Sequence, residues 1–277
     1  IEQYLVWLIG NDWTLVDVRG DGTVMQPGTR VGILRGDLGL SFVTRQPAWR
    51  RIEERLPATL TLMIPAYVIT VTLAIGIGVY SSLRPYSFVD NVITGLSFFF
   101  FSMPIFFIAL MTIYLFGVQF PRWGLPGLPI GGKGNGSFGD LVVHNVMPVF
   151  CLVAIQLASY VRFIRSSMLD VLNQDYIRTA NAKGLSQRTV VQRHAFKNAS
   201  LPLVTLIGLD LPFLLAGAVV TERIFAWPGM GRLFIESFER ADIPFMMAIL
   251  MLLCVMVVVF QLLTDVVYTW FDPRIRY

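Results

Sequence analysis

The stretch Asn173-Gln-Asp-Tyr-Ile-Arg-Thr-Ala-Asn-Ala-Lys-Gly-Leu-Ser-Gln-Arg-Thr-Val-Val-Gln-Arg-His-Ala-Phe-Lys-Asn-Ala-Ser-Leu-Pro202 sits between two apolar runs. On its N-terminal side, residues 141–161 carry no Asp, Glu, Lys or Arg, and from Asn198 to Thr221 the one charge is Asp210. Most connections between packed elements are short, and this one is long, basic and rich in helix-forming residues. Asp175 favours a helix N-terminus through the exposed amides there. Tyr176, Thr179, Ala180 and Lys183 recur at three- and four-residue spacing and predict one helical face. Gly184 is placed to end that helix in the left-handed conformation. Ser186 can cap a second helix containing Val190, Val191 and His194. On these grounds the stretch is a two-helix loop. It either packs on its own bundle as a solvated basic element or, through the small residues Ala180, Ala182 and Gly184, admits another protein closely.

Outward from the loop, the chain is apolar. It has 277 residues, 55% hydrophobic and 14% charged, against about one residue in four charged for a soluble domain. A spanning helix needs about 20 largely apolar residues. Residues 56–83, 91–121, 141–161 and 243–264 are free of Asp, Glu, Lys and Arg. Five spanning helices are predicted, at 58–80, 94–117, 147–170, 200–222 and 244–270. Pro65, Gly76, Gly78, Pro104, Gly208, Pro212 and Gly217 fall within them and read as packing and kinking residues.

Charge asymmetry orients the chain. Loop 173–200 carries Arg178, Lys183, Arg188, Arg193 and Lys197 against Asp175, with Arg162 and Arg165 just before it. Loop 118–146 has only Arg122 and Lys133, and in loop 225–243 Arg232 and Arg240 are outweighed by Glu236, Glu239 and Asp242. Loop 173–200 and the C-terminus are therefore expected in the cytoplasm, and residues 1–57 outside. An external start without a signal-peptide pattern would be resolved if one more spanning helix preceded Ile1, so six helices are expected in the natural subunit. Within 1–57, Ile1 to Ile9 suits a short amphipathic helix, and Thr14–Val18 and Thr23–Met25 flank an Asp21-Gly22 turn.

Several chemistries are excluded. The Gly-rich segment 124–139 lacks the Gly, four residues, Gly-Lys-Ser/Thr pattern of a phosphate loop. Cys151 and Cys254 lie in separate apolar runs and imply neither disulfide nor metal. His144 and His194 are too few for a histidine cluster. No nucleophile–base set or carboxylate pair stands at catalytic spacing, so no catalytic or metal residue is expected.

The loop resembles the EAA signature of ATP-binding-cassette importer permeases. Asp175-Tyr-Ile-Arg-Thr-Ala-Asn-Ala-Lys-Gly-Leu-Ser with Arg193-His-Ala-Phe-Lys-Asn-Ala and Leu201-Pro202 is similar to the dipeptide/oligopeptide/nickel subfamily. Arg35-Gly-Asp-Leu-Gly-Leu-Ser, Leu56-Pro-Ala-Thr-Leu, Glu222-Arg-Ile-Phe-Ala-Trp-Pro-Gly-Met-Gly and Asp272-Pro-Arg-Ile-Arg agree, so the likeness covers nearly all of 31–277. Arg178-Thr179-Ala180 stands where the general signature reads Glu-Ala-Ala, Asn181 stands where the subfamily has Arg, and the segment around 14–29 looks like an insertion.

The resemblance implies an all-α polytopic membrane protein of the type I importer fold, an extracytoplasmic segment 1–57 and a permease domain 58–277. It implies a bacterial or archaeal cell membrane, a second permease subunit, two cytoplasmic ATPase subunits that hold ATP and Mg2+, and an extracytoplasmic binding protein. This chain would bind no cofactor and hydrolyse no ATP. Its coupling helix would map onto Asp175, Tyr176, Arg178, Thr179, Ala180, Ala182, Lys183 and Gly184. The cargo implied first is peptide, with oligosaccharides or nickel complexes as alternatives.

Charged residues inside a membrane face an interior or a partner. Asp210 lies about 13 Å from the cytoplasmic start of its helix at 1.5 Å per residue, and Arg162 at a similar depth. The two are expected either as an ion pair or, for Asp210, as a path residue attracting a cationic group. Gln261 and Asp265 share a face and suit interhelical hydrogen bonding. Trp227, Pro228, Gly229 and Glu236 are expected outside, as a gate or binding-protein contact or as an ordinary interfacial helix. The competing class is a self-contained secondary transporter, which would show inverted repeats or broken helices around a charged midplane site.

Overall fold

The computed structural model describes residues 5, 8–10, 32–216 and 218–271. The helix expected at 1–9 lies largely outside the described residues, and the hairpin at 14–25 and the tail motif from Asp272 lie wholly outside them. Among the described residues the structure is helical, with no strand beyond an isolated bridge between Leu40 and Pro47. The helices are α1 (Ala48–Leu83), α2 (Phe88–Ser102), α3 (Ile105–Arg122), α4 (Phe138–Leu172), α5 (Asp175–Ala182), α6 (187–199), α7 (Leu201–Ala216), α8 (Val219–Ile224), α9 (Met230–Glu239) and α10 (Ile243–Phe271). α3 and α6 each contain a π-helical segment, Ile113–Gln119 and Val190–Phe196.

Local chemistry explains the helix starts. Ser87, Ser137 and Ser186 each accept the backbone N–H three residues on, at 3.2–3.3 Å, satisfying a donor that the first turn leaves free. α1, α3, α4 and residues 243–267 of α10 are long and apolar enough to cross a bilayer, while α2 and 201–212 are shorter apolar helices. The predicted spans at 58–80, 147–170 and 244–270 each fall inside one helix. The span predicted at 94–117 is two helices instead. Pro104 has no N–H to continue α2, and the residue before it is pushed to extended backbone: Met103 has φ −86° and ψ 132°. The span predicted at 200–222 is likewise divided between α7 and α8, after Pro212 in α7.

The chain divides into two compact units, Ile1–Arg55 with Leu233–Leu252, and Leu56–Arg232 with Leu253–Tyr277. In the first, the turn 40–47 is anchored on Asp242. That carboxylate is buried and accepts the Ser41 hydroxyl and the Phe42 N–H, the latter at 2.9 Å. The Arg51 guanidinium lies 5.0 Å from the Phe245 ring centroid.

In the second unit the core is built on α1 and α4. Gly78 lets them approach: a Cβ there would lie 2.9 Å from Ile164. Tyr67, Ala74, Tyr160, Ile164 and Met168 form one buried cluster with Ile177 and Ala180 of α5 and Val190, Val191 and Ala195 of α6. Two further clusters centre on Leu62 with Trp227, and on Met147 with Phe225. An apolar groove of about 690 Å³ runs between α1, α2 and α4.

Candidate coupling element and polar clusters

α5 ends as its residues require. Gln174 is the cap position and Asp175 opens the helix. Gly184 has φ 73° with nothing within 4 Å of a Cβ built there, so glycine is needed for backbone conformation and not for space. Ile177 and Ala180 are the buried residues of α5. Tyr176, Thr179 and Lys183 lie on the open side, and Asp175, Arg178, Ala182 and Gly184 are also exposed. The predicted face is thus split: Ala180 turns inward because Ile177, one position from Tyr176, draws the buried centre of the helix toward itself. Tyr176 is tied down at its tip, its phenolic oxygen accepting from Asn198 Nδ2 at 3.1 Å. Arg178 and Asp175 pair at 3.5 Å on open surface, a contact worth about 0–1 kcal/mol.

Asp210 of α7 meets a tyrosine pair. Tyr160 donates its hydroxyl to Asp210 Oδ2 at 2.5 Å, and the Tyr67 and Tyr160 oxygens are 3.0 Å apart. A hydroxyl has one proton. With that of Tyr160 on Asp210, Tyr67 is the donor in the tyrosine pair, sharing its proton with the Ile207 carbonyl at 3.3 Å.

The expected Arg162–Asp210 ion pair does not form. Arg162 is two residues from Tyr160, about 200° around the helix, so when Tyr160 faces Asp210, Arg162 faces away. Its guanidinium lies over the Phe98 and Phe101 rings at 5.2 and 4.4 Å, and its Nε is buried without a hydrogen-bond partner. Arg165 instead holds Asp90 of α2, with Nε to Oδ1 and Nη2 to Oδ2 both at 2.7 Å. The same carboxylate accepts the Tyr86 N–H at 2.8 Å and the Ser81 hydroxyl. The Arg165 guanidinium, then the Ser81 and Tyr86 donors, hold it well below the usual carboxylate range against the opposing effect of burial. Gln261 donates to Asp265 Oδ1 along α10 at 3.5 Å rather than to another helix.

A second polar cluster secures the Glu222–Gly231 segment. Glu222 is fully buried and accepts the Thr59 hydroxyl and the Arg232 N–H, both at 3.0 Å. Thr59 in turn accepts the Met230 N–H at 2.7 Å. Trp227 is also fully buried and donates Nε1–H to the Ala58 carbonyl at 2.7 Å. Gly229 is obligatory, since any Cβ would overlap the Glu222 carboxylate. A direct contact with a docking protein therefore does not fall to Trp227, whose indole is enclosed by its own chain. Pro228 and Glu236 are half-buried.

A family model described as "Binding-protein-dependent transport system inner membrane component" matches residues 74–277. The chain is 38% identical over 271 residues to the dipeptide transport system permease protein of Escherichia coli K12, covering 89% of this chain and 78% of that protein. This chain belongs to the binding-protein-dependent transport system inner membrane component family. The permease is also 41% identical over 251 residues to the oligopeptide transport system permease protein of Bacillus subtilis 168, covering 88% and 78% of the two chains. Among solved structures it is similar to one titled "Crystal structure of an amino acid ABC transporter with histidines". The TM-score is 0.55 at 14% identity, over 79% of this chain and 94% of that one, a likeness of fold. The permease is thus a multi-pass membrane component of an importer, and the self-contained transporter class is set aside.

Sequence reading placed α5, its glycine stop and Asp210. It did not find Tyr67, Tyr160, Asp90, Arg165 as a partner, Thr59 or Glu222 as an anchor. A signal existed for two of these: Asp90 and Glu222 are acidic residues at the ends of apolar runs, where an unpartnered charge is costly.

Proposed function

We propose that the permease forms the membrane path of an ATP-driven importer of peptides and that α5 is its coupling helix. The observation that carries this is the form of α5: Ile177 and Ala180 seat it in the core while Tyr176, Thr179 and Lys183 stay open. Such a helix can be pushed from outside and hand the displacement to the bundle. Two cytoplasmic ATPase subunits would dock there, bind ATP and Mg2+, and favour one of two permease states by differential affinity. A second permease subunit would complete the path, and an extracytoplasmic binding protein would deliver cargo. Loop 173–200 and the C-terminus would be cytoplasmic, as the Lys/Arg bias supports. Peptide cargo is supported by the names of the relatives from E. coli and B. subtilis. Asp210, held by Tyr160, would supply the path with a fixed negative group for a peptide ammonium; Asp210→Asn is expected to lower uptake of peptides with a free amino terminus. Pro228, Gly229 and Glu236 would belong to the external region that meets the binding protein.

Ala180→Pro tests the coupling helix. Proline inside a helix costs about 3 kcal/mol, and this one would break α5 at its seat. ATPase co-purification and peptide uptake are expected to fall together. Unchanged uptake would remove α5 from the mechanism.

A further inference from the structure

α1 and α2 are joined by the short turn 84–87, in which Tyr86 takes a left-handed φ of 62°. Asp90, in the first turn of α2, reaches back over this turn to the Tyr86 N–H and to Ser81 at the end of α1. Both its oxygens also receive the fork of Arg165. One carboxylate, only 2% exposed, therefore joins the α1–α2 hairpin to α4.

On α4, Arg165 is flanked by Ile164 and Met168, which are buried in the same cluster as Ile177 and Ala180 of α5. A displacement of α5 is therefore delivered to α4 within one helical turn of Arg165. Apolar surfaces slide over one another at little cost. A shielded bidentate pair does not, because separating it leaves a buried unpaired charge.

We propose that Asp90 and Arg165 are the positioning pair that makes the α1–α2 hairpin travel with the coupling helix, so that ATP hydrolysis is converted into cargo movement. This rests on reading α5 as the coupling helix.

The test uses the complete transporter in proteoliposomes, with both permeases, the ATPases and the binding protein. The cargo probe is a mixed pool of isotope-labelled di- to pentapeptides counted by mass spectrometry. D90N and R165Q are expected to keep the ATPase bound and hydrolysing, while peptide moved per ATP falls about tenfold. R165K, which retains charge without the fork, is expected to fall between wild type and R165Q. A purely structural role would lower the amount of assembled complex and leave that ratio intact. An unchanged ratio in assembled D90N and R165Q overturns the proposal. Should both fail to assemble, R165K decides alone, and a wild-type ratio there overturns it. Failure of the coupling-helix reading has a different signature: A180P would retain ATPase binding and uptake, whatever the Asp90 variants do.

Discussion

Replacing Glu222 by alanine should be among the most damaging single changes outside the coupling loop. The carboxylate is fully buried, and its donors include the Thr59 hydroxyl and the Arg232 N–H, each at 3.0 Å. Alanine strands both. A buried donor left without a partner costs about 1–3 kcal/mol, so the pair costs about 2–6 kcal/mol before any cavity is counted. That is a large part of a typical stability of about 5–15 kcal/mol. E222Q keeps the shape but offers one acceptor and an NH2 group that meets a donor, so its cost should be about 1–3 kcal/mol. T59V removes a partner of the same bond, so E222A and T59V should combine non-additively by about 0.5–3 kcal/mol. Equilibrium unfolding of the purified permease in mixed micelles, read by the fluorescence of buried Trp227, measures the wild type, the three single variants and the E222A/T59V double variant. An E222A variant within about 0.5 kcal/mol of wild type, the range of ordinary surface changes, would refute the anchoring role.

W227F keeps an aromatic ring in place but loses the Nε1–H bond to Ala58 at 2.7 Å, and should lower stability by about 1 kcal/mol, followed by far-ultraviolet circular dichroism because the variant lacks the reporting indole. G208A should destabilise by about 1–3 kcal/mol through overpacking, because the new methyl would lie within 2.8 Å of three Thr264 side-chain atoms; adding T264A should restore much of the melting temperature. G184A meets no neighbour and should cost only the left-handed backbone strain, about 1–2 kcal/mol, visible as fraying at the end of α5 in hydrogen exchange. The lowered proton affinity of Asp90 gives a pH prediction. Its contribution is present above the unfolded-state value and is lost only as pH falls through the depressed folded value, so D90N should flatten the acid limb of the stability profile while leaving its shape between about pH 5 and 8 unaltered.

What could be read from sequence was local. Charge-free runs mark the apolar helices because a bilayer tolerates little else. Gly184 and Ser186 announce a stop and a start because their reasons lie within three residues. What could not be read depends on rotation about helix axes. Tyr160 and Arg162 differ by two positions and so point to opposite sides of α4, which is why Asp210 takes a tyrosine and Arg162 takes two phenylalanines. Ala180 belonged to the predicted face but is drawn inward by its neighbour Ile177. Pro104 was legible as a special residue, yet whether it kinks or ends a helix depends on the backbone of Met103, and there it ends one. Asp90 and Arg165 are remote in sequence, as are Thr59 and Glu222, and no periodicity brings them together.

If α5 is the coupling helix, its open side touches the ATPase. Cross-linking from a cysteine placed on α5 reads that contact. Cys151 is buried and Cys254 is exposed, so the background is C254S. K183C is placed on the open side of α5, and V258C, on the exposed apolar side of α10, is the control. In a complex that hydrolyses ATP and moves peptide, a maleimide–benzophenone reagent, bonded through its maleimide to the K183C thiol and inserted by illumination into a neighbouring C–H bond, should join K183C to the ATPase subunit, with a yield that changes when ATP is added, and attached at V258C should join it to none. An active complex in which K183C never forms that adduct would rule out α5 as the ATPase contact.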